Sequence, residues 1–88
     1  MKLTTKNASA TTTEASYLLK ADKIKFLAND DATNDLYISF EGSIDGGADY
    51  MILKAGETFS NFDEIRCHTL YYKASASTVA FRVVGVRD

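Results

Sequence analysis

The chain has 88 residues, 45% of them hydrophobic and 25% charged, with 12 acidic residues against 10 Lys and Arg and one His. That length holds one domain, and the apolar share belongs to a globular protein rather than a disordered one. The formal charge of −2 gives no footprint of the concentrated basic surface that nucleic-acid-binding proteins use to neutralise phosphates, and no apolar run is long enough to cross a bilayer as a helix.

Residues 1–16 differ in kind from the rest. Thr4, Thr5, Asn7, Ser9, Thr11, Thr12, Thr13 and Ser16 alternate with small alanines, and Leu3 is the one large aliphatic side chain among them. So little apolar area does not offset the entropy of ordering the segment by itself. It reads either as a frayed terminus or as an arm that orders against a neighbouring subunit. Residues 13–19 fit a short helix capped by Thr13, and Tyr17-Leu18-Leu19 fits a strand equally well.

From Lys23 the period becomes two. Ile24, Phe26 and Ala28 alternate with Lys23, Lys25 and Leu27, as in a half-buried strand. A cluster of turn formers, Asn29-Asp30-Asp31-Ala32-Thr33-Asn34, leads to the clearest strand of the chain. There Leu36, Ile38 and Phe40 alternate with Tyr37, Ser39 and Glu41. The two strands read as neighbours joined by an acidic loop. A glycine-bearing loop over residues 42–49 precedes Tyr50 to Lys54, which is evenly apolar and so expected to be covered on both faces. Ala55-Gly56-Glu57 turns the chain into a short extended piece from Thr58 that ends at Asn61-Phe62-Asp63. Residues 65–73 are rich in β-branched and aromatic side chains. After the small-residue turn at 74–77, Val79, Phe81 and Val83 alternate with Ala80, Arg82 and Val84.

About seven short strands and no convincing helix predict an all-β protein, a small antiparallel β-sandwich or barrel. The organisation expected is an N-terminal arm over residues 1–16 and a single sandwich domain over 17–88. The chain has no proline, so sheet edges must be guarded by charge or covering segments. Lys25, Lys54, Lys73 and Arg82 are the candidates. A domain of this size with neither disulfide nor metal often gains stability from partner subunits.

Residues able to do chemistry are few. Cys67 is the only cysteine, so no internal disulfide forms, and one thiol with one imidazole is too few for a structural zinc site. Cys67 and His68 are adjacent, and neighbours on a strand point to opposite faces. They cannot work as a nucleophile–base pair there, and no second histidine exists. No enzymatic activity, cofactor or metal site is expected. Asp30, Asp31, Asp35, Asp45 and Asp49 offer oxygen ligands, yet Asp35 stands where a calcium loop of the helix–loop–helix type starting at Asp30 needs glycine. A solvated polar loop is the plainer reading. Asn7-Ala8-Ser9 has the form of a glycosylation acceptor, but Lys2 and Lys6 lead into no apolar secretory signal. With Leu36, Ile38 and Phe40 inward, Tyr37 faces outward, and Tyr71 does so if Tyr72 is inward. Outward tyrosines serve interfaces and sugar-binding platforms, or are simply good strand formers.

Three segments in order carry a resemblance. They are Lys25-Phe26-Leu27-Ala28-Asn29 with Leu36-Tyr37-Ile38-Ser39-Phe40-Glu41-Gly42, the run from Tyr50 through Leu53-Lys54-Ala55-Gly56-Glu57-Thr58 to Phe59, and the close from Leu70-Tyr71-Tyr72-Lys73 to Gly85. This series resembles small β-sandwich structural proteins of tailed bacteriophages, over about two thirds of the chain. The resemblance implies a jelly-roll-like sandwich located in the virion, without enzymatic activity or cofactor. Its most concrete form is a capsid decoration (cement) protein, a homo-oligomer with a trimer favoured, bound to the major capsid or another virion protein. Nucleic acid and membrane are not expected as partners. The interface residues expected are Tyr37, Tyr71, Arg82 and Leu3. The alternative is a receptor- or carbohydrate-recognition module of a phage fibre, tail or baseplate.

Overall fold

The computed structural model describes residues 2–18, 23–65 and 69–87. Among them are eight strands and no helix: β1 (Lys2–Ala10), β2 (Ala15–Leu18), β3 (Lys23–Asn29), β4 (Leu36–Ser39), β5 (Met51–Leu53), β6 (Thr58–Ile65), β7 (Thr69–Ala74) and β8 (Val79–Arg87). They build two four-stranded antiparallel sheets, ordered β1-β8-β3-β6 and β2-β7-β4-β5. The pairings β1–β8, β2–β7, β3–β6 and β4–β5 are those of one long hairpin bent at the β4–β5 connection. Winding that ribbon on itself brings β8 beside β3 and β7 beside β4. This is the jelly roll, two Greek keys closed into a sandwich. The all-β sandwich expected from the sequence is present in that form.

The core lies between the sheets. The first sheet contributes Ile24, Leu27, Val79, Phe81 and Val83, and the second Leu36, Ile38, Leu53 and Leu70, all buried. Each such side chain contributes about 1.5–3 kcal/mol by leaving water. Tyr72 meets Phe81 edge-on across the layers, with ring centroids 4.8 Å apart at 61°, a geometry favoured by the ring quadrupoles. Tyr72 is therefore inward and Tyr71 outward. The alternation expected in β8 and β4 is the one found.

Several elements differ from expectation. The polar N-terminal segment, expected as an arm, forms β1 and pairs with β8 from Lys2↔Arg87 to Ala10↔Val79. Its core-facing positions include Ala8 and Ala10, small because Phe81 and Val79 opposite them already fill the layer. β3 and β4 are not sheet neighbours, since β3 belongs to the first sheet and β4 to the second. The acidic loop is thus a crossover between layers, and so is the small-residue turn between β7 and β8. Within β3 the register shifts between Ile24 and Phe26 on both flanks. This bulge reverses the phase, so Ile24 and Leu27 both face the core while Phe26 lies outward near Arg82, 5.9 Å from its guanidinium. Asn61-Phe62-Asp63 does not end a strand, because β6 continues to Ile65.

The expected edge guards also move. Lys25, Lys73 and Arg82 stand on the interior strands β3, β7 and β8, and Lys54 alone lies beside an edge strand, β5. Among the described side chains, Lys6 is a protecting cation on β1. It is paired with core-facing Val83, so its side chain leaves from the inner face of an edge strand and reaches over the Tyr17 ring of the other sheet at 5.4 Å. A charge pointing inward at an edge opposes further strand pairing there, and the cation–ring contact stabilises it.

Candidate functional site

The four residues expected at an interface do not converge. Tyr37 and Tyr71 face outward from the second sheet. Leu3 and Arg82 lie on the outer face of the first, by the register of β1, β8 and β3. The two pairs lie on opposite faces of the sandwich. Arg82 is also engaged: its Nε and Nη2 donate to the two carboxylate oxygens of Asp30 at 2.8 and 2.9 Å, and this fork holds the guanidinium charged. Tyr71 is half-buried between Ser16 and Ser39 in the cross-strand row. Cys67 and His68 lie outside the described residues.

Exposed apolar groups gather elsewhere. Among the described residues, the large hydrophobic side chains most open to solvent are Leu3 (60%), Ile52 (49%), Leu18 (48%) and Tyr50 (47%). Leu3 is on β1, Leu18 on β2 and Ile52 on β5, each an edge strand, and Tyr50 immediately precedes β5. β5, expected to be covered on both faces, is therefore an edge strand with one open face. Tyr50 packs against Tyr37 in a tilted arrangement, with centroids 5.2 Å apart at 53°, and Tyr37 is the cross-strand partner of Ile52. The half-buried Tyr37 thus joins the exposed Tyr50 and Ile52 in one cluster. The sequence pointed to Tyr37 but missed the other two, since an evenly apolar run reads as buried.

The same end of the sandwich carries a cleft of about 170 Å³, lined by Ile38, Phe40, Glu41, Asp49, Tyr50 and Met51. Its floor follows from the register. Ile38 and Met51 are a cross-strand pair on the inner side of β4 and β5, and Phe40 packs on the core beyond them. Its mouth is set by one buried hydroxyl. Ser39 Oγ donates to the Asp49 carbonyl at 2.9 Å and accepts from the backbone N–H groups of Glu41 and Gly42 at 3.3 Å. Ser39 thus ties both ends of the connection between β4 and β5 together and sets Glu41 and Asp49 on the cleft. Neither carboxylate has a hydrogen bond or ion pair with a described residue.

The rest of that loop is held tightly. Glu14 accepts from Ser43 Oγ at 2.6 Å and from the backbone N–H groups of Ile44 and Asp45. The Ser43 hydroxyl first, and then the two amides, hold its carboxyl below the usual range. Lys73 Nζ reaches Asp45 at 2.8 Å, which raises the pKa of the lysine. These contacts pull the loop onto the outer face of the second sheet, and Ile44 is buried there.

The other acidic loop holds itself. Asn29, buried at the end of β3, donates through Nδ2 to the Asn34 carbonyl at 3.0 Å and the Leu53 carbonyl at 2.9 Å, and its Oδ1 accepts from Asp31 N–H. Asp31 Oδ2 accepts from the N–H groups of Asn34 and Thr33. Those two amides, Asn34 first, lower its pKa. Among the described residues no group of three or more His, Cys, Asp or Glu is arranged to hold a metal ion. Comparison with known proteins finds no matching family model, no similar curated protein and no similar solved structure.

Proposed function

We propose that this protein is a non-enzymatic structural component of a tailed-phage virion, most concretely a capsid decoration protein that docks on the assembled shell. The observation that carries the reading is the position of the exposed apolar side chains: Leu3, Leu18 and Ile52 on edge strands, and Tyr50 beside one. Sheet edges offer unpaired backbone donors and acceptors, and apolar side chains there add area that a protein partner can cover. Tyrosine suits such contacts because its ring is apolar and its hydroxyl is wet. The resemblance to phage β-sandwich proteins supplies the kind of particle.

The test is co-sedimentation of purified protein with phage shells, with mass spectrometry of purified virions. The reading requires the chain in the particle at stoichiometric copy number, and its absence would refute the decoration role. The Tyr37–Tyr50 pair favours the second reading, a recognition module for host carbohydrate. Glycan-array binding lost in Tyr37→Ala, with no shell binding, would replace docking by recognition.

A further inference from the structure

The cleft at the β4–β5 end combines two features. Its floor of Ile38, Phe40 and Met51 is apolar, while Glu41 and Asp49 on its lining are acids without a partner among the described residues. Most other acids among the described residues are matched: Asp30 with Arg82, Asp31 with the Thr33 and Asn34 amides, Asp45 with Lys73, Glu14 with Ser43 and the neighbouring amides, and Glu57 with Lys54 N–H; the Asp35 carboxylate is unpartnered too, but it does not line the cleft. Two unmatched negative charges beside an apolar trough complement one kind of group, a cation carried on an apolar stem. Lysine and arginine have that form, with methylenes that cover apolar surface and a head that seeks carboxylate oxygen. Tyr50 adds a ring face with which a cation interacts favourably. A volume of about 170 Å³ suits one such side chain and is small for a drug-sized ligand.

We infer that this cleft receives a lysine or arginine side chain of the partner protein, its stem on Ile38, Phe40 and Met51 and its head between Glu41 and Asp49. The inference rests on the docking function proposed above and names the chemistry the partner must present. Ser39 is a positioning residue, because its hydroxyl holds the backbone on both sides of the cleft mouth.

The test is an amide-resolved NMR titration of the full ¹⁵N-labelled chain with the N-acetyl methylamides of lysine, arginine, norleucine and glutamate. The lysine and arginine probes should give saturable shifts at Phe40, Glu41, Asp49, Tyr50 and Met51. The norleucine probe should bind at least about fivefold more weakly, as should the basic probes to an E41Q/D49N variant, given two partly exposed charge contacts. A well-dispersed E41Q/D49N spectrum verifies that the variant is folded. Equal binding of norleucine, or no saturable shift from any basic probe, overturns the inference. Shell binding separates it from the reading beneath it. If wild type and E41Q/D49N bind shells equally, the cleft assignment fails and the docking function stands. If neither binds shells, the docking function fails, whatever the probes do. Self-association of wild type that E41Q/D49N abolishes would assign the cleft to a second copy of this chain and overturn the partner assignment.

Discussion

The connection between β3 and β4 carries Asp30, Asp31 and Asp35, and the one between β4 and β5 carries Glu41, Asp45 and Asp49. In the first, Asp30 grips Arg82, Asp31 closes its own turn, and the Asp35 backbone exchanges hydrogen bonds with Ser75. In the second, Asp45 is paired, while Glu41 and Asp49 stand unpartnered among the described residues beside an apolar cleft. The first loop crosses between sheets and must be pinned to both. The second joins strands of one sheet: Ser39 closes its base, and Glu14 and Lys73 hold its middle. Acid content does not mark a site; what marks it is charge left unsatisfied next to apolar surface.

That contrast can be broken from the packing outward. Phe81→Ala removes the ring beneath the pinned loop, where Phe81 is the cross-strand partner of Asn29, and should cost about 3–5 kcal/mol by urea unfolding. Near-wild-type stability would contradict the core described above. Asn29→Ala should cost about 3 kcal/mol, since it strands the Leu53 and Asn34 carbonyls and the Asp31 amide. A change within experimental error would mean that the loop is not held by that amide.

Smaller effects sharpen the comparison. Asp31→Asn should lower the melting temperature measurably and Asp49→Asn should not; equal effects would erase the distinction between the loops. Acid titration tests one carboxylate contact in each loop. The carboxyls of Asp31 and Glu14 have folded pKa values below their ordinary ones. Their contribution is therefore complete above the unfolded-state pKa, about 4, and is lost as pH falls through the folded values. Asp31→Asn and Glu14→Gln should flatten the acid limb of a stability–pH curve.

Much of the fold is legible in the sequence where side chains are large. Val79, Phe81 and Val83, like Leu36 and Ile38, declare their inward faces by size and period. β1 is not legible because its inner positions, Ala8 and Ala10, are small, and the bulk they need is supplied by β8. The bulge in β3 hides inside an alternation that looks continuous, so Phe26 reads as inward and is not. β5 reads as buried because three consecutive apolar residues, Met51-Ile52-Leu53, do not say which sheet ends there. For the site, outward Tyr37 was readable. The cleft was not, since its floor depends on the Ile38↔Met51 register and its mouth on the Ser39 hydroxyl.

Cryo-electron microscopy of particles bearing this chain probes the central claim, that its open strand edges are contact surfaces, most directly. The account predicts a jelly roll seated on the shell with the β5 edge, Tyr50 and Ile52 covered and a basic side chain of the shell protein between Glu41 and Asp49. A sandwich attached with those residues facing solvent, or particles without it, would contradict the account.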